Sequence, residues 1–139
     1  SVQRAGKWEM TNLGQILLGS AMFMGASLLH MIGLLFMSQI IRSQRRLSAL
    51  LAVRFVVMIT LSHMVQIGLW AGLLLVIGAL PDFGDALYFS LVTYTTVGYG
   101  DVTLGDGSRL LGAMAAFAGI VALGMSTAFL VSLFTRSLR

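Results

Sequence analysis

No cysteine occurs among the 139 residues, and proline occurs once, at Pro81. The lack of thiols excludes disulfide frameworks and thiolate metal sites, and it removes redox chemistry as a guide to compartment. Charge is the other scarcity. Asp, Glu, Lys and Arg make up 10% of the chain against 58% hydrophobic residues, whereas soluble domains carry about 25% charged residues. The composition is that of a membrane protein, with no length to spare for a separate soluble domain beside several spanning helices. The net charge of +4 does not point to nucleic acid, because the basic residues are scattered at segment ends and form no stripe with interleaved aromatics. No Ser/His/Asp, phosphate-loop or zinc-type spacing occurs, so no enzyme is expected. A voltage sensor needs regularly spaced arginines along one span, and Arg54 stands alone.

What is abundant is long apolar sequence. Runs from Leu13 to Ile41, Leu50 to Leu80 and Leu110 to Phe134 each exceed the about 20 helical residues that cross a hydrocarbon core of about 30 Å. The first is too long for a signal peptide and lacks its cleavage pattern. The loop with Arg42, Arg45 and Arg46 and the tail with Arg136 and Arg139 predict a cytoplasmic side for both, and hence an outer N-terminus despite Arg4 and Lys7, which Glu9 offsets in part. All five acids, Glu9, Asp82, Asp85, Asp101 and Asp106, then fall outside. Four of them flank one segment, where they would concentrate cations.

That segment contains TTVGYGD, residues 95–101. Pro81 is expected to close the second span, Asp82 or Asp85 to cap a helix, and Asp85 to Tyr94 to form it. Such a helix is too short to span, so it must enter the membrane and return through extended, Gly-rich backbone. Backbone of that kind is tolerated at membrane depth only where it is buried in protein or lines a water-filled path. Gly98 and Gly100 bracket Tyr99 and can adopt the left-handed conformations that turn successive carbonyls one way. Five extended residues reach at most about 16 to 18 Å, about half the bilayer core. Neutral carbonyl oxygens, with the Thr96 hydroxyl at the inner end, suit a hard monovalent cation. One segment supplies one wall, and closing rings around an ion calls for a homotetramer.

The heptad resembles the selectivity filter of potassium channels. The wider stretch Ala86–Asp101 is similar to their pore helix plus filter, and Ala118–Gly124 to the inner helix of small bacterial members. The resemblance implies an all-α transmembrane pore fold: outer helix, re-entrant pore helix and filter, and inner helix, over residues 50–139. Residues 1–49 add an N-terminal transmembrane helix and a basic loop. It implies K⁺ as the permeant ion, bound by Thr96, Val97, Gly98 and Tyr99, with Gly100 completing the outer mouth. It further implies support of the filter by an Asp101–Tyr88 hydrogen bond, a gating hinge at Gly119, and residence in a bacterial inner membrane with a cytoplasmic C-terminus. The sequence departs from the family where tryptophans are common, at Tyr88 and Phe89. It departs also at Val92, where some bacterial members carry glutamate, and in lacking a proline after the filter. The alternatives are a less selective cation channel and the ion-conducting subunit of a potassium uptake system.

The remaining residues have plainer expectations. Gly112, Gly119 and Gly124 permit close helix packing as well as bending. Arg54 is expected to snorkel to the headgroups. His30 and His63 could pair between helices or sense pH, although satisfaction of each by nearby backbone or Gln66 is the commoner outcome. The methionines are packing residues. Trp8 and Trp70 are interfacial anchors, or Trp70 packs on the pore helix. The lipid bilayer and further copies of the chain are the expected partners. No gating stimulus is legible, and a regulatory domain or subunit is not specified.

Overall fold

The computed structural model describes residues 10–43 and 48–137. Arg4, Lys7, Trp8, Glu9, Arg45, Arg46 and Arg139, and the side chain of Arg136, lie outside the described residues. The architecture is all-helical: α1 (Asn12–Arg42), α2 (Ala49–Val76), the short α3 (Phe83–Tyr94) and α4 (Arg109–Ser137). Three of them, α1, α2 and α4, are long and apolar enough to cross a membrane. The chain is thus a multi-pass membrane protein with the expected order of outer helix, short helix with loop, and inner helix, preceded by an extra span.

The helix starts follow side-chain capping. Thr11 accepts from the Gly14 N–H at 3.2 Å, Ser48 from Leu51 at 3.2 Å and Asp82 from Asp85 at 3.0 Å. Each such cap is worth about 1 kcal/mol. Asp82 is therefore the cap of α3, and that helix begins two residues before the expected Asp85. The end of α2 corrects the expectation that Pro81 closes it. Gly78 adopts φ +69°, its N–H donates to the Leu75 carbonyl at 3.0 Å, and the Ala79 N–H donates to Leu74 at 2.9 Å. This paired bonding around a left-handed glycine terminates the helix before the proline is reached.

Helix α1 runs parallel to α4. Gln15 reaches Asp106 and Leu110, Phe23 stacks on Phe117 at 5.1 Å, His30 reaches Ser126, and Met37 shares a buried cluster with Leu133. Helix α2 runs the opposite way, with Phe55 against Phe129 and Trp70 in a cluster with Ala115. The short α3 is wedged among them, its Phe89 and Ala86 packed with Ala71, Leu74 and Leu111.

Two close approaches fix this packing. A Cβ on Gly19 would overlap the Met114 sulfur, which is how α1 seats on α4. A Cβ on Gly119 would overlap the Tyr94 carbonyl oxygen, so the end of α3 lies directly on the α4 backbone. Gly119 stands ten residues after Arg109, about 15 Å along the helix, and α3 therefore stops at about half the depth of a bilayer core. In lipid, where burial of apolar surface does not drive helices together, such close contacts and interhelical hydrogen bonds carry the assembly.

Gln15 supplies one of those bonds. It is fully buried, accepts from the Leu110 N–H at 3.0 Å, and donates to the carbonyls of Asp106 and Met10 at 3.2 Å each. A side chain of α1 thereby satisfies an otherwise open N–H in the first turn of α4. Gln15→Leu leaves those groups unpartnered and is expected to lower stability by about 1 to 3 kcal/mol; Gly119→Ala forces α3 off α4 at a similar cost of about 1 to 3 kcal/mol. Thermal unfolding in detergent checks both, and an unchanged midpoint for either refutes the corresponding contact.

Candidate functional site

Segment 95–101 leaves α3 as an irregular strand with a regular alternation. Thr96 has φ +63°, Gly98 +57° and Gly100 +76°, so every second residue is left-handed. Alternating handedness gathers successive N–H groups on one side of a chain, which turns the carbonyls to the other. The hydrogen bonds agree. Thr96 N–H donates to Thr93 at 3.0 Å, while Val97 and Gly98 both donate to the Val92 carbonyl, at 2.9 and 3.2 Å. These three donors are thus taken up by the end of α3, whose last carbonyls would otherwise be open. Gly98 and Gly100 have nothing within 4 Å of a Cβ position, so their requirement is conformational and not spatial. Thr96 is a β-branched residue in the same region, which costs about 1 to 2 kcal/mol.

Every residue from Thr95 to Asp101 is exposed in the single chain, Val97 at 52% and Tyr99 at 73%. Among the described residues no group of three or more His, Cys, Asp or Glu could hold a metal.

At the far end of the segment from α3 the Tyr88 hydroxyl donates to Asp101 Oδ2 at 2.6 Å, short as expected for a bond to a carboxylate. This bond holds the Asp101 carboxyl below its ordinary pKa and pushes the Tyr88 hydroxyl above its own. Asp82 is used as a helix cap, and Asp106 faces Arg109 in an exposed pair at 3.0 Å that contributes little to stability.

At the inner end Tyr94 is 1% exposed and packs with Trp70, Ile67, Ala115, Ala118 and Ala122. Trp70 is fully buried there, which assigns it to packing on the short helix and not to interfacial anchoring. Gly119 lies under the Tyr94 carbonyl, within a continuous α4. Gly112 similarly admits Phe89, at 3.1 Å from a Cβ position, whereas Gly124 has nothing within 4 Å. Arg54 is exposed near the start of α2, in keeping with snorkelling.

The fold thus joins Thr96 to Asp101 with Tyr88 in one site and sets Gly119 against its inner support. Sequence reasoning missed the left-handed Thr96, the double use of the Val92 carbonyl and the Gln15 staple. It offered both interhelical pairing of the histidines and satisfaction by Gln66, and the structure shows both: the ring centroids are 4.9 Å apart and Gln66 lies 3.3 Å from His30.

Comparison with known proteins agrees with this geometry. A 41-residue stretch is 54% identical to a two pore potassium channel b of Oryza sativa subsp. japonica, covering 29% of this chain and 12% of the rice protein. No solved structure matches the chain significantly. The model of the family described as "Ion channel" matches residues 50–136, a region that includes α2, α3, the 95–101 segment and nearly all of α4, and the chain belongs to that family.

Proposed function

We propose that the chain conducts K⁺ passively and selectively, as one subunit of a homotetramer whose four copies of residues 96–100 enclose the ion path. The pore unit is residues 50–139, with residues 1–49 as an added segment. The carbonyls of Thr96, Val97, Gly98 and Tyr99, with the Thr96 hydroxyl, replace the hydration shell of the ion, and Gly100 finishes the mouth. The observation that carries this reading is the alternation of left-handed residues at Thr96, Gly98 and Gly100 with the N–H groups turned back into α3. The rice relative, a potassium channel by name, supports the choice of ion. No bond is made or broken, so no catalytic group is required.

Two further points complete the proposal. Arg42, in the last turn of α1, marks the cytoplasmic side by the positive-inside rule, which sets the mouth with Asp101 outside and the end of α4 inside. The resemblance of the inner helix is to small bacterial channels, which favours a bacterial inner membrane. Gly119 is proposed as the point at which α4 bends during gating, since bending there would also release the end of α3.

Flux into liposomes containing the purified chain tests the function, with barium block as control. A reversal potential that follows the K⁺ gradient is expected; equal permeability to Na⁺ makes the chain a less selective cation channel and overturns the selectivity claim.

Gly98→Ala and Gly100→Ala each impose a left-handed conformation on a residue with a Cβ, at about 1 to 2 kcal/mol per subunit. Both are expected to lose K⁺ selectivity or conduction while the tetramer persists on size-exclusion chromatography; selective K⁺ flux through either refutes the assigned filter.

The Tyr88–Asp101 bond has a defined pH window. The depressed carboxyl contributes stability that is present above its unfolded-state pKa and lost as pH falls through the depressed value. The raised hydroxyl contributes stability that is lost only as pH climbs through its elevated value. Tyr88→Phe should therefore raise the Asp101 pKa and make conduction fail at a higher pH on acidification. Carboxyl NMR titration of the two proteins reads this directly, and an unmoved Asp101 midpoint removes the bond from the account.

A further inference from the structure

Midway along the spans lies a buried polar cluster that carbonyl coordination of an ion does not require. His30 of α1 and His63 of α2 both aim Nε2 at Ser126 Oγ of α4, at 2.9 and 3.0 Å. His63 Nδ1 is 2.9 Å from the Tyr94 hydroxyl at the end of α3, and His30 Nδ1 is 2.8 Å from Ser62 Oγ of α2. One chain of hydrogen bonds therefore joins all four helices.

Its direction follows from counting protons. Ser126 has one hydrogen to give and two lone pairs, so at most one imidazole accepts from it and at least one donates to it. The Tyr94 hydroxyl is buried and its bond to His63 is the one it makes among the described residues, so it donates and His63 Nδ1 accepts. His63 then carries its hydrogen on Nε2 and donates to Ser126. Ser126 donates to His30 Nε2, and His30 Nδ1–H donates to Ser62. Gln66 Nε2 is placed 3.3 Å from the same His30 Nδ1, and the Gln66 oxygen is buried without a partner. Turning that amide over, an assignment left to hydrogen bonding, brings the oxygen to the His30 N–H.

We infer that this chain is a proton-responsive positioning device for the inner end of the conduction path, with Tyr94 as its positioning residue and α1 as an integral part. The inference rests on residues 95–101 being that path. Tyr94 immediately precedes Thr95, and its carbonyl bears on Gly119 while its hydroxyl is tied to His63. With both rings neutral every bond has one donor and one acceptor. A proton added to His63 must go to Nδ1, which reverses the bond to Tyr94: the tyrosine oxygen now accepts, and its own buried hydrogen has no acceptor among the described residues. A proton added to His30 goes to Nε2, so that Ser126 accepts from both rings and turns its own hydrogen elsewhere. The first event removes the acceptor that holds the Tyr94 hydroxyl.

The groups that face the two rings are His30 from α1, Ser62, His63 and Gln66 from α2, Tyr94 from α3, and Ser126 and the Ala122 backbone from α4. None is an acid, so no counter-ion stabilises an added proton. Arg54 is nine residues from His63 on α2, about 13 Å of helix rise away. With the ring centroids 4.9 Å apart, a first proton opposes a second, and the pair takes up one.

The test is magnetic resonance of the full chain in lipid bilayers, with ¹⁵N-histidine and ¹³C-carbonyl labels, beside K⁺ flux at the same pH values. At neutral pH His63 should show the Nε2–H tautomer and His30 the Nδ1–H tautomer. As pH falls from about 8 to about 5, where histidine titrates, one proton per pair should be taken up. The Thr96 and Val97 carbonyl signals should move with the same midpoint, and K⁺ flux should drop several-fold. In Tyr94→Phe, and in His63→Gln, which keeps a hydrogen-bonding side chain that cannot titrate, the carbonyl signals should no longer follow pH. Imidazoles that stay neutral throughout, or that titrate while the wild-type carbonyl signals stay still, overturn the inference. Flux that is undiminished at acid pH while the carbonyl signals move overturns its link to conduction. A wild-type chain that passes no ion at any pH refutes the conduction reading instead, and the resonance result still decides whether the histidine chain positions Thr96.

Discussion

A backbone that stops being helical halfway through a bilayer has no water to satisfy its N–H and C=O groups, and each one left open costs several kcal/mol. The stretch after Tyr94 meets that constraint by sending its donors backward. Thr96, Val97 and Gly98 give their N–H groups to Thr93 and Val92, the very carbonyls that a terminating helix leaves unpaired. The same three bonds meet part of both deficits, and the alternation of left-handed residues at Thr96, Gly98 and Gly100 is built on them.

This arrangement requires α3 to end at one depth and against one partner. The face of α4 that receives it is built of Ala115, Ala118, Gly119 and Ala122, all buried. Those residues have helical spacing on one side of α4, and their small size lets the α3 terminus descend to the α4 backbone. The larger residues of α4, Phe117, Ile120, Val131 and Phe134, remain exposed on the single chain. Trp70 then fills the volume that the small residues leave beside Tyr94. The first span is tied into the same assembly at three heights, by Gln15 at the top, His30 in the middle and Met37 near the bottom. It is consequently part of the support of the site and not a detached anchor.

How much of this was legible in the sequence depended on whether the determinant was local. The three spans, the short helix and the heptad were readable because length, hydropathy and glycine placement are properties of consecutive residues. The Tyr88–Asp101 bond was accessible from the resemblance, because its two ends are fixed by one helix and one loop. The end of α2 was misplaced because Pro81 is a conspicuous breaker, whereas Gly78 acts earlier through a left-handed turn that any glycine could make. Thr96 was not expected at positive φ, since β-branched residues avoid it; the bonding of its neighbours to Val92 overrides that preference. The Gln15 staple and the shared Ser126 partner of the histidines were not foreseen for another reason. Leu110 lies 95 residues from Gln15, and Ser126 lies 96 from His30 and 63 from His63, on helices whose rotation about their axes no periodicity in so apolar a chain defines.

Polar residues in the spans deserve a reading that follows from this last point. Where nearly every position is apolar, hydropathy supplies no preferred face, and the helices need some other means of choosing their rotation. Gln15, His30, His63, Gln66 and Ser126 are buried polar residues on three different helices, and the interhelical bonds among them can form in one register only. A wrong rotation of α1 would leave Gln15 and His30 unpaired in hydrocarbon, a penalty that apolar packing alone does not impose. The register that satisfies them brings Ser126 under both imidazoles and leads one of them to Tyr94. The side chains that select the helix rotations are thus also those that lead to Tyr94 at the end of α3.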